Sequence, residues 1–568
     1  MQFNVKKRDE LSRIGELLID DKRIVTPNIL SVNTNRFKAF DKADIILSND
    51  KVKTNKPVLK FLQTPLKIDE KNFYYIDEKT GFVIIEYASQ LFKKSKNFID
   101  LIINVRKKIG YEKIIYTPAI AMPSNLALLC YMGIDFFDTT SAIIAARNKN
   151  IFFADGEYNI KDLIELPCNC PICNNINKKP SELSFEDILN HNYYMLFNEL
   201  KQVRNIIKTG DLRNYVEKKV KTNTLYVTIL RNLDMNYYEF LEEQTPVVSN
   251  KTIFATCSES YSRSEIKRFQ SRVLNRYCKP DCTKILLLLP CSAKKPYSFS
   301  KTHKFFRRTI LETSNPDIIH ELIITSPLGL VPRELELVYP AANYDIPVTG
   351  VWNEDEKKMI KILLKEYLSK NKYEKIIVHL PKEITSFIID FIKKPIITCV
   401  DSPTSDESLE KLKITLEENI VGFEKIDRYE RTKQNLESLA CYQFGKNIAK
   451  KLLKDTKIYG RYPDLKIIEN NKQLGMLTKD RGFISLTLAG AKKIESYEKY
   501  WVEIADDFIP KGSILAPGII NTDENIRIGD EVLIFRKKSL IGIGAAVMNG
   551  ADMKKSSYGE AVKIRHIL

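Results

Sequence analysis

The sequence contains no long apolar run. Across its 568 residues, no stretch approaches the roughly 20 apolar residues with which a helix crosses a bilayer. The first 19 residues include Lys6, Lys7 and Arg8, but they contain no apolar signal core and no small-residue cleavage pattern. These absences exclude the membrane-spanning and signal-directed classes, and we expect a cytoplasmic protein without a membrane partner.

Cysteine is also scarce, and the ten cysteines of the chain are too few for a disulfide scaffold. Three of them lie within six residues, at Cys168, Cys170 and Cys173, and His191 follows eighteen residues after the last. Three thiolates and one imidazole supply the four ligands of a tetrahedral site and leave no open position. This spacing predicts a structural Zn²⁺ site; a set of free thiols is the alternative.

Basic residues outnumber acidic residues in the chain. Lys and Arg total 89 against 72 Asp and Glu, which gives a formal net charge of +17. A surplus of this size favours a polyanionic partner, because each neutralised phosphate releases counterions. A general basic bias of the source proteome is the alternative. The chain is too long to fold around a single hydrophobic core, so we expect three or four domains of about 100–200 residues each.

Residues 1–245 alternate short apolar strands with helical segments. The predicted strands include 25–30, 43–47, 82–86 and 114–117. Repetition of strand and helix over this length favours a (β/α)8 barrel over a doubly wound sheet. We therefore expect an α/β multidomain protein whose first domain is a barrel.

A second α/β domain, with a three-layer core, is predicted over residues 246–403. Its strands are expected at 284–289, 321–325, 375–380 and 395–400. An apolar stripe at helical spacing predicts a helix over 355–369. Helices between the strands imply a parallel sheet, whose chemistry is expected in loops at the carboxyl ends of the strands.

The loop at 290–303, PCSAKKPYSFSKTH, follows the first of these strands. Together with the loops at 326–334 and 343–347, it offers a nucleophile, proton carriers and anion ligands. The candidate catalytic residues are Cys291, Ser292, Lys294, Lys295, Ser300, His303, Arg333, Glu334 and Asp345. The alternatives are a basic surface loop and, for Arg333 and Glu334, a surface ion pair of little energetic value.

Two smaller domains are predicted after residue 403. Residues 404–495 combine a charged helical stretch at 407–419 with a short β unit, which predicts a small α+β linker domain. Residues 496–568 are rich in predicted strands and carry glycine at their turns, a pattern typical of a small β-barrel.

The first region resembles the barrel of the tRNA-guanine transglycosylases. The resemblance rests on residues 133–142 (GIDFFDTTSA), on the cysteine cluster with His191, and on residues 200–212, which resemble a helix of the archaeal form. It implies that Asp138 matches the nucleophile position of that family. The family's Asp-Ser-Gly-Gly loop is replaced at residues 77–82 by DEKTGF. We therefore interpret Asp138 as a vestigial nucleophile that serves as a helix-capping or hydrogen-bonded carboxylate.

The loop at 290–303 resembles the signature of the archaeosine synthases, paralogues of the archaeal transglycosylase. The domain order agrees with this resemblance, with a transglycosylase-like barrel and zinc knuckle before the α/β core domain. Residues 496–568 look like a PUA domain, an RNA-binding β-barrel of tRNA- and rRNA-modifying enzymes. There, Gly512, Ala516, Pro517 and Gly518 would let an RNA backbone approach closely, or they serve only as tight turns.

The resemblance implies a tRNA-modifying transferase of archaeosine biosynthesis. Such enzymes add nitrogen from lysine, glutamine or ammonia to the nitrile of 7-cyano-7-deazaguanine at position 15 of tRNA. In some lineages a radical-SAM lyase is a partner. The transglycosylase relatives dimerise through their zinc region, so we expect a homodimer.

Two chemical routes are open at the loop. In the first, Cys291 forms a thioimidate with the nitrile, and Lys294 and Lys295 lower the pKa of its thiol. In the second, the donor amine attacks the nitrile directly. In either route His303 would carry protons, and Glu334 or Asp345 would bind the α-amino group of the donor. Active transglycosylation and a non-catalytic tRNA-binding subunit are the other functions that the sequence leaves open.

Overall fold

The computed structural model describes residues 2–60, 73–77, 79–175, 179–508 and 510–568. The chain divides into two compact units. The first comprises residues 1–244 together with 515–517 and 552–560, and the second comprises 245–514, 518–551 and 561–568. No helix in the described ranges is both long enough and apolar enough to span a bilayer.

The first unit alternates short strands with helices. Its strands are β1 (Gln2–Asp9), β2 (Ser12–Ile19), β3 (Lys22–Thr26), β4 (Asn28–Val32), β5 (Ile46–Leu47), β6 (Val58–Leu59), β7 (Tyr74–Ile76), β8 (Val83–Ile85), β9 (Ile115–Tyr116), β10 (Phe136–Asp138), β11 (Asn150–Phe152) and β12 (Glu157–Asn159). Its helices are α1 (Ala88–Phe92), α2 (Ser95–Ile109), α3 (Leu126–Tyr131), α4 (Thr140–Arg147), α5 (Pro171–Asn175), α6 (Phe185–Thr209), α7 (Leu212–Val220), α8 (Thr224–Asn236) and α9 (Tyr238–Gln244).

The main sheet of the first unit has seven strands in the order β6-β5-β4-β10-β9-β8-β7. Its neighbouring strands are parallel except for the antiparallel pair β7–β8. The predicted strand at 25–30 is wrong as a single element. Pro27 divides it into β3 and β4, because proline has no amide hydrogen to continue a ladder. Closure into an eight-stranded barrel stays a prediction.

The described residues of the second unit form three sheets before the carboxyl-terminal region and a fourth within it. Its strands before the carboxyl-terminal region are β13 (Ile253–Phe254), β14 (Ile285–Pro290), β15 (Ile319–Thr325), β16 (Gly329–Pro332), β17 (Tyr344–Asp345), β18 (Lys375–Val378), β19 (Ile396–Ile397), β20 (Lys457–Arg461), β21 (Asp464–Glu469), β22 (Lys472–Leu477) and β23 (Ile484–Leu486). Its helices are α10 (Ser264–Asn275), α11 (Lys301–Leu311), α12 (Glu354–Lys370), α13 (Lys382–Ile388), α14 (Asp406–Ile420), α15 (Arg428–Phe444), α16 (Lys446–Leu453) and α17 (Leu488–Ile494).

The sheet that carries the candidate loop has the order β16-β15-β14-β18-β19. Strand β14 lies at its centre, is buried along its whole length, and pairs in parallel with β15 and β18. Alternate β14 residues pack against α11 and α14 on one face, in a cluster that includes Leu287, Phe306 and Leu412. The predicted parallel sheet is confirmed, and β16 adds an antiparallel edge to it.

The helix predicted over 355–369 is confirmed as α12. Asn353 begins it with a capping box, in which its side chain accepts from the Glu356 amide at 2.9 Å. The Glu356 carboxylate accepts from the Asn353 amide in return, also at 2.9 Å. This reciprocal pair satisfies two backbone donors that the first turn of a helix leaves free.

The carboxyl-terminal region is rich in strands, as predicted. Its elements are β24 (Trp501–Ile504), β25 (Ser513–Leu515), β26 (Ile519–Thr522), β27 (Glu531–Arg536), β28 (Ser539–Ala546), α18 (Gly550–Lys555) and β29 (Glu560–Ile567). Strands β29, β28, β27, β24 and β26 are neighbours in that order. Strands β24 and β27 are parallel, whereas β28 pairs antiparallel with β27 and β29.

Candidate active site and metal centre

Cys291 follows β14 directly and lies half-buried at the carboxyl end of the central strand. The turn occurs here because Pro290 ends the strand. The parallel register pairs Pro290 with Ile324, so Thr325 at the end of β15 comes beside Cys291. The Thr325 side chain forms a hydrogen bond with the thiol. The structure therefore brings Cys291 to the edge of the sheet where open α/β folds place reactive groups.

Lys295 and Asp345 share this edge with Cys291. Burial raises the pKa of the Cys291 thiol, and the Thr325 hydrogen bond and the charge of Lys295 offset only part of that rise. Burial also lowers the pKa of Lys295, while Cys291 and Asp345 act in the opposite direction. The predicted lowering of the thiol pKa is thus wrong in its net sign. Lys294 is exposed, so of the two lysines only Lys295 is held beside the thiol.

Three buried hydroxyl groups lie behind the thiol. The Tyr344 hydroxyl forms short hydrogen bonds with the Tyr297 hydroxyl and with Thr325 Oγ1. The Lys295 ammonium lies 4.0 Å from the centroid of the Tyr344 ring, a favourable cation–π geometry. The sequence did not predict this chain of hydroxyls, because its three members come from separate segments that only the fold brings together.

The two candidate serines have local roles in the loop. Ser292 Oγ donates to the Lys294 carbonyl at 3.1 Å, which stabilises the turn after β14. Ser300 is the N-cap of α11, where its Oγ accepts from the His303 amide at 3.1 Å. Both side chains shape the loop around Cys291.

His303, on α11, and Arg333, directly after β16, form a largely buried pair. Arg333 Nη2 donates to His303 Nδ1 at 2.8 Å, and Arg333 also pairs with Glu321 and, at 3.0 Å, with Glu336. Burial and the Arg333 charge lower the pKa of His303 to about 3. The imidazole is therefore neutral near pH 7, and its ring packs 5.2 Å from that of Tyr297.

Glu334 lies in a separate buried network. It accepts from the Tyr277 hydroxyl at 3.0 Å and from Arg431 Nη2 at 3.1 Å, and it lies 3.2 Å from His320 Nε2. The charges of His320 and Arg431 overcome the effect of burial and hold the pKa of Glu334 down to about 2. The alternative of a surface ion pair between Arg333 and Glu334 is wrong, since both are buried and each pairs with other residues.

The four predicted metal ligands lie together. The ligand atoms of Cys168, Cys170, Cys173 and His191 are all within 4.8 Å of one another. His191 Nδ1 lies 3.2 Å from the Cys173 sulfur, while its Nε2 lies 2.8 Å from the Phe152 carbonyl and donates to it. This outer contact fixes the tautomer that leaves Nδ1 free to coordinate. The three thiol groups, together with the imidazole of His191 on α6, therefore fit a metal ion.

Asp138 is buried at the carboxyl end of β10, the central strand of the seven-stranded sheet. Its carboxylate accepts from the Tyr116 hydroxyl at 2.6 Å and from the Thr140 amide at 2.8 Å. Burial raises its pKa, and these hydrogen bonds act against the rise. This is the geometry of a hydrogen-bonded carboxylate at the start of α4. In the nearby 77–82 segment, Glu78 lies outside the described residues.

The four predicted RNA-contacting residues lie around β25. Gly512 has a φ of +76° and open space where a Cβ would lie, whereas a Cβ at Gly518 would meet the Phe508 ring at 3.0 Å. The Ala516 amide donates to the Gly559 carbonyl at 2.9 Å, and Pro517 follows it in a single helical turn. Close packing against Phe508 explains Gly518, while the open side of Gly512 leaves room for another backbone.

Several known families match this chain. Queuine tRNA-ribosyltransferase matches residues 78–225, and a domain of unknown function matches 266–416. The patch-forming domain C2 of tRNA-guanine transglycosylase matches 434–500, and the PUA domain matches 503–568. Transglycosylase-type and PUA segments in one chain define a protein of the tRNA-modifying class.

Full-length relatives narrow this class. An archaeosine synthase subunit alpha of Methanosarcina acetivorans is 34% identical over 100% of this chain and 90% of the relative. The archaeosine synthase of Haloferax volcanii is 36% identical over 87% of this chain and 82% of the relative. A tRNA-guanine(15) transglycosylase of Methanosphaera stadtmanae is 27% identical, over 78% and 65% of the two chains. The chain belongs to the archaeosine synthase family.

Proposed function

We propose that this protein adds nitrogen to the nitrile of 7-cyano-7-deazaguanine at position 15 of tRNA, with lysine, glutamine or ammonia as the donor. The observation that carries the proposal is the pairing of Cys291 and Lys295 beside buried hydroxyl groups, in the loop at 290–303. Membership of the archaeosine synthase family supplies the class of reaction. The pairing supplies a nucleophile and a proton carrier for it.

The covalent route requires Lys295 in its amine form, which accepts the proton of the Cys291 thiol. The sulfur then attacks the nitrile carbon, and the nitrile nitrogen takes the proton back from Lys295, which yields a thioimidate. The donor amine next attacks the same carbon, the carbon–sulfur bond breaks, and the proton lost by the amine returns to the thiolate through Lys295. With ammonia or a lysine amine, the net change is addition of one N–H bond across the nitrile, which forms an amidine. Glutamine would enter this route only as ammonia, after water has hydrolysed its side-chain amide and released glutamate.

The groups around Cys291 and Lys295 support these proton transfers. Asp345 favours the charged form of Lys295, so it stabilises the ammonium that follows deprotonation of the thiol. The Thr325 side chain favours the thiolate form of Cys291, and the hydroxyls of Tyr344 and Tyr297 extend the hydrogen-bond chain from Thr325. His303 is neutral and hydrogen-bonded to Arg333, and its ring packs against Tyr297. It therefore positions this chain of hydroxyl groups.

The remaining domains are proposed to hold the tRNA. In this proposal residues 1–245 form a transglycosylase-like barrel without a working base pocket, and 496–568 form the PUA domain. Residues 246–403 form the catalytic core, and residues 404–495 link this core to the PUA domain. Three of the relatives are named archaeosine synthase subunit alpha, which supports a partner protein such as a radical-SAM lyase. A homodimer is proposed from the transglycosylase resemblance.

The test of this proposal is nucleoside mass spectrometry. In three separate reactions, nitrile-bearing tRNA and the protein are incubated with lysine, with glutamine or with ammonium. Appearance of the corresponding amidine or lysine adduct with one donor is the expected result. Exchange of labelled guanine into unmodified tRNA, without any nitrile conversion, would replace the proposal by transglycosylation.

Binding of tRNA is expected to depend strongly on salt. The net charge of +17 favours contacts with phosphates, and each contact releases counterions. Between about 50 and 200 mM salt, the affinity for tRNA should fall by at least about 100-fold. Fluorescence anisotropy with labelled tRNA measures this slope, and an affinity insensitive to salt would contradict phosphate-based binding.

The metal of the cysteine cluster is proposed to be zinc, because three thiolates and one imidazole suit its tetrahedral preference. Elemental analysis should find about one zinc per chain, and Cys173→Ser should reduce this to less than about one-tenth. The variant should also melt at a lower temperature, because α6 loses its tie to the loop. Cys399→Ser, outside the cluster, is the matched control. Full retention of zinc by Cys173→Ser would exclude this ligand set.

A further inference from the structure

The loop between β17 and α12 carries no charged side chain. Its residues, 346–352, read IPVTGVW, in a chain of which 28% of the residues are charged. Two of its valines are among the most exposed apolar side chains of the described residues, Val348 at 73% and Val351 at 80%. Single exposed apolar residues are common, but two within four residues indicate a contact surface. None of the reaction steps described above uses this loop.

Both ends of this loop lie at the carboxyl edge of the five-stranded sheet. The loop follows Asp345 directly. The residue before that, Tyr344, bonds Thr325 Oγ1 at the end of β15, and its ring lies 4.0 Å from the Lys295 ammonium. At the other end, α12 returns the chain to the start of β18, which is parallel to β14, so α12 begins at the same edge. This is the edge at which Cys291 lies.

The conformation of the loop is fixed by its own contacts. Thr349 Oγ1 accepts from the Val351 amide at 3.2 Å and donates to the Val351 carbonyl at 3.3 Å. Gly350 has a φ of +73°, which glycine adopts without strain. The Trp352 ring lies 6.1 Å from the Phe387 ring, which anchors the end of the loop on α13. The two valines are therefore held in place before a ligand binds, and little conformational entropy is lost when they contact one.

The valines lie close enough to the reaction centre to contact a substrate there. Val348 is the third residue after Asp345, so their Cα atoms are no more than about 11 Å apart. In the covalent route the nitrile carbon bonds to the Cys291 sulfur, and a single bond joins that carbon to the 7-deazaguanine ring. The ring must therefore lie at the carboxyl edge, within reach of this loop.

A neutral, flat ring is the part of the RNA that this loop suits. The loop offers no lysine or arginine to a phosphate, which is the usual partner of cationic side chains in RNA binding. Unstacked RNA bases are instead held by packing against their faces and by hydrogen bonds to their edges. Two exposed valines provide such a packing surface, because covering a face of the ring removes apolar area from water.

We propose that Val348 and Val351 form one wall of the pocket for the 7-deazaguanine base and pack against a face of the ring while its nitrile reaches Cys291. The inference rests on the proposed function, since it places the base on which that reaction acts. It assigns the loop to an unstacked nucleotide of the tRNA rather than to the phosphate backbone.

Site-specific photo-cross-linking tests this placement without turnover. The photoreactive residue p-benzoylphenylalanine is introduced at Val351 in the full chain, and the complex with nitrile-bearing tRNA is irradiated. The cross-linked nucleotide is then mapped by mass spectrometry after ribonuclease digestion. The expected cross-link is at position 15 of the tRNA or at an adjacent nucleotide. Cross-links elsewhere in the tRNA, only between protein chains, or nowhere overturn the inference.

Val421 is the matched control for the cross-link. It is 76% exposed and belongs to the same unit, but it lies near the opposite edge of the sheet. There, Asn315, shortly before β15, donates to the Glu424 carbonyl at 2.9 Å. The same photoreactive group at Val421 should give no cross-link at position 15. A cross-link there from both positions overturns the assignment to the loop.

Paired substitutions measure what the contact contributes. The serine pair, Val348→Ser with Val351→Ser, is expected to lower kcat/KM for nitrile conversion by about tenfold or more. The conservative pair, Val348→Ile with Val351→Ile, keeps an apolar wall, so its loss should be at least about fivefold smaller. Val421→Ser should stay within about twofold of the parent. A serine pair with the kcat/KM of the parent overturns the inference.

Affinity for the whole tRNA separates a base contact from general RNA binding. Fluorescence anisotropy should show a change of less than about twofold for the serine pair, because phosphate contacts dominate this affinity. A loss of tRNA affinity as large as the loss of kcat/KM would assign the loop to general tRNA binding and overturn the base contact.

Failure here is distinguishable from failure of the proposed function. Nitrile conversion by the parent with no loss in the serine pair would refute the loop contact and leave the reaction standing. A cross-link from the Val351 position to position 15, in a protein that converts no nitrile with any donor, would refute the reaction and leave the base contact standing.

Discussion

Cys291→Ala is expected to lower the single-turnover rate of nitrile conversion by at least about 1000-fold, because it removes the nucleophile of the covalent route. The rate of the parent protein should also depend on pH. Burial raises the pKa of this thiol, so the covalent route depends on Lys295 to accept its proton. The assay is mass spectrometry of nucleosides, quenched over time, from nitrile-bearing tRNA and the active donor.

The control for this prediction is Cys399→Ala. Cys399 is also a half-buried cysteine of the second unit, and it lies outside the loop at 290–303. It should stay within about twofold of the parent rate. In the absence of donor, the parent protein should form a covalent adduct with tRNA at Cys291, visible after acid quenching. Full turnover by Cys291→Ala would leave direct attack by the donor amine as the route.

Local patterns in the sequence predicted the parts of the site that depend on neighbouring residues. Five aliphatic residues before Pro290 predicted the buried strand β14, and its parallel partners placed the loop at the carboxyl edge of the sheet. The metal ligands were predictable for the same reason, since three of four lie within six residues. The Phe152 carbonyl that orients His191 was not, because β11 and α6 meet only in the fold.

The hydrogen-bond partners around Cys291 and Glu334 could not be predicted in this way. Thr325 bonds the thiol from β15, and Tyr344 bonds Thr325 from β17. Arg431 reaches Glu334 from a helix 97 residues further on. His303 did carry a signal. It lies on α11 at helical spacing from Phe306 and Ile310, the apolar stripe that packs on the sheet, and this spacing indicates burial.

The net sign of the Cys291 pKa shift was the main error in predicting the chemistry. Two lysines in sequence suggest a cationic environment that lowers the pKa of a thiol. In the structure one of them is exposed, and burial of the sulfur at the end of a central strand outweighs the charge of the other. Nearness in sequence shows which charged residues can lie close to the thiol, whereas the burial of the thiol depends on how the loop packs against β15 and β17.

Lys295→Met is expected to lower the rate of nitrile conversion by about 100-fold or more near neutral pH, because it removes the group that accepts the thiol proton. The sign of its pH dependence follows from the two shifts. Burial lowers the pKa of Lys295 and raises that of Cys291, so the parent is active between them and loses rate on both sides. Without the lysine, the thiolate forms only as pH rises past the raised thiol pKa. The variant should therefore recover part of its rate at alkaline pH.

The neighbouring lysine makes the comparison sharp. Lys294 is adjacent in sequence but exposed, and Lys294→Met should lose no more than about threefold. Lys301→Met, at the exposed start of α11, controls for general loss of positive charge near the tRNA. Single-turnover rates from pH 6 to 10 separate the three variants. Equal losses for Lys294→Met and Lys295→Met, or a Lys295→Met profile parallel to the parent, would assign both lysines to tRNA binding and remove Lys295 from proton transfer.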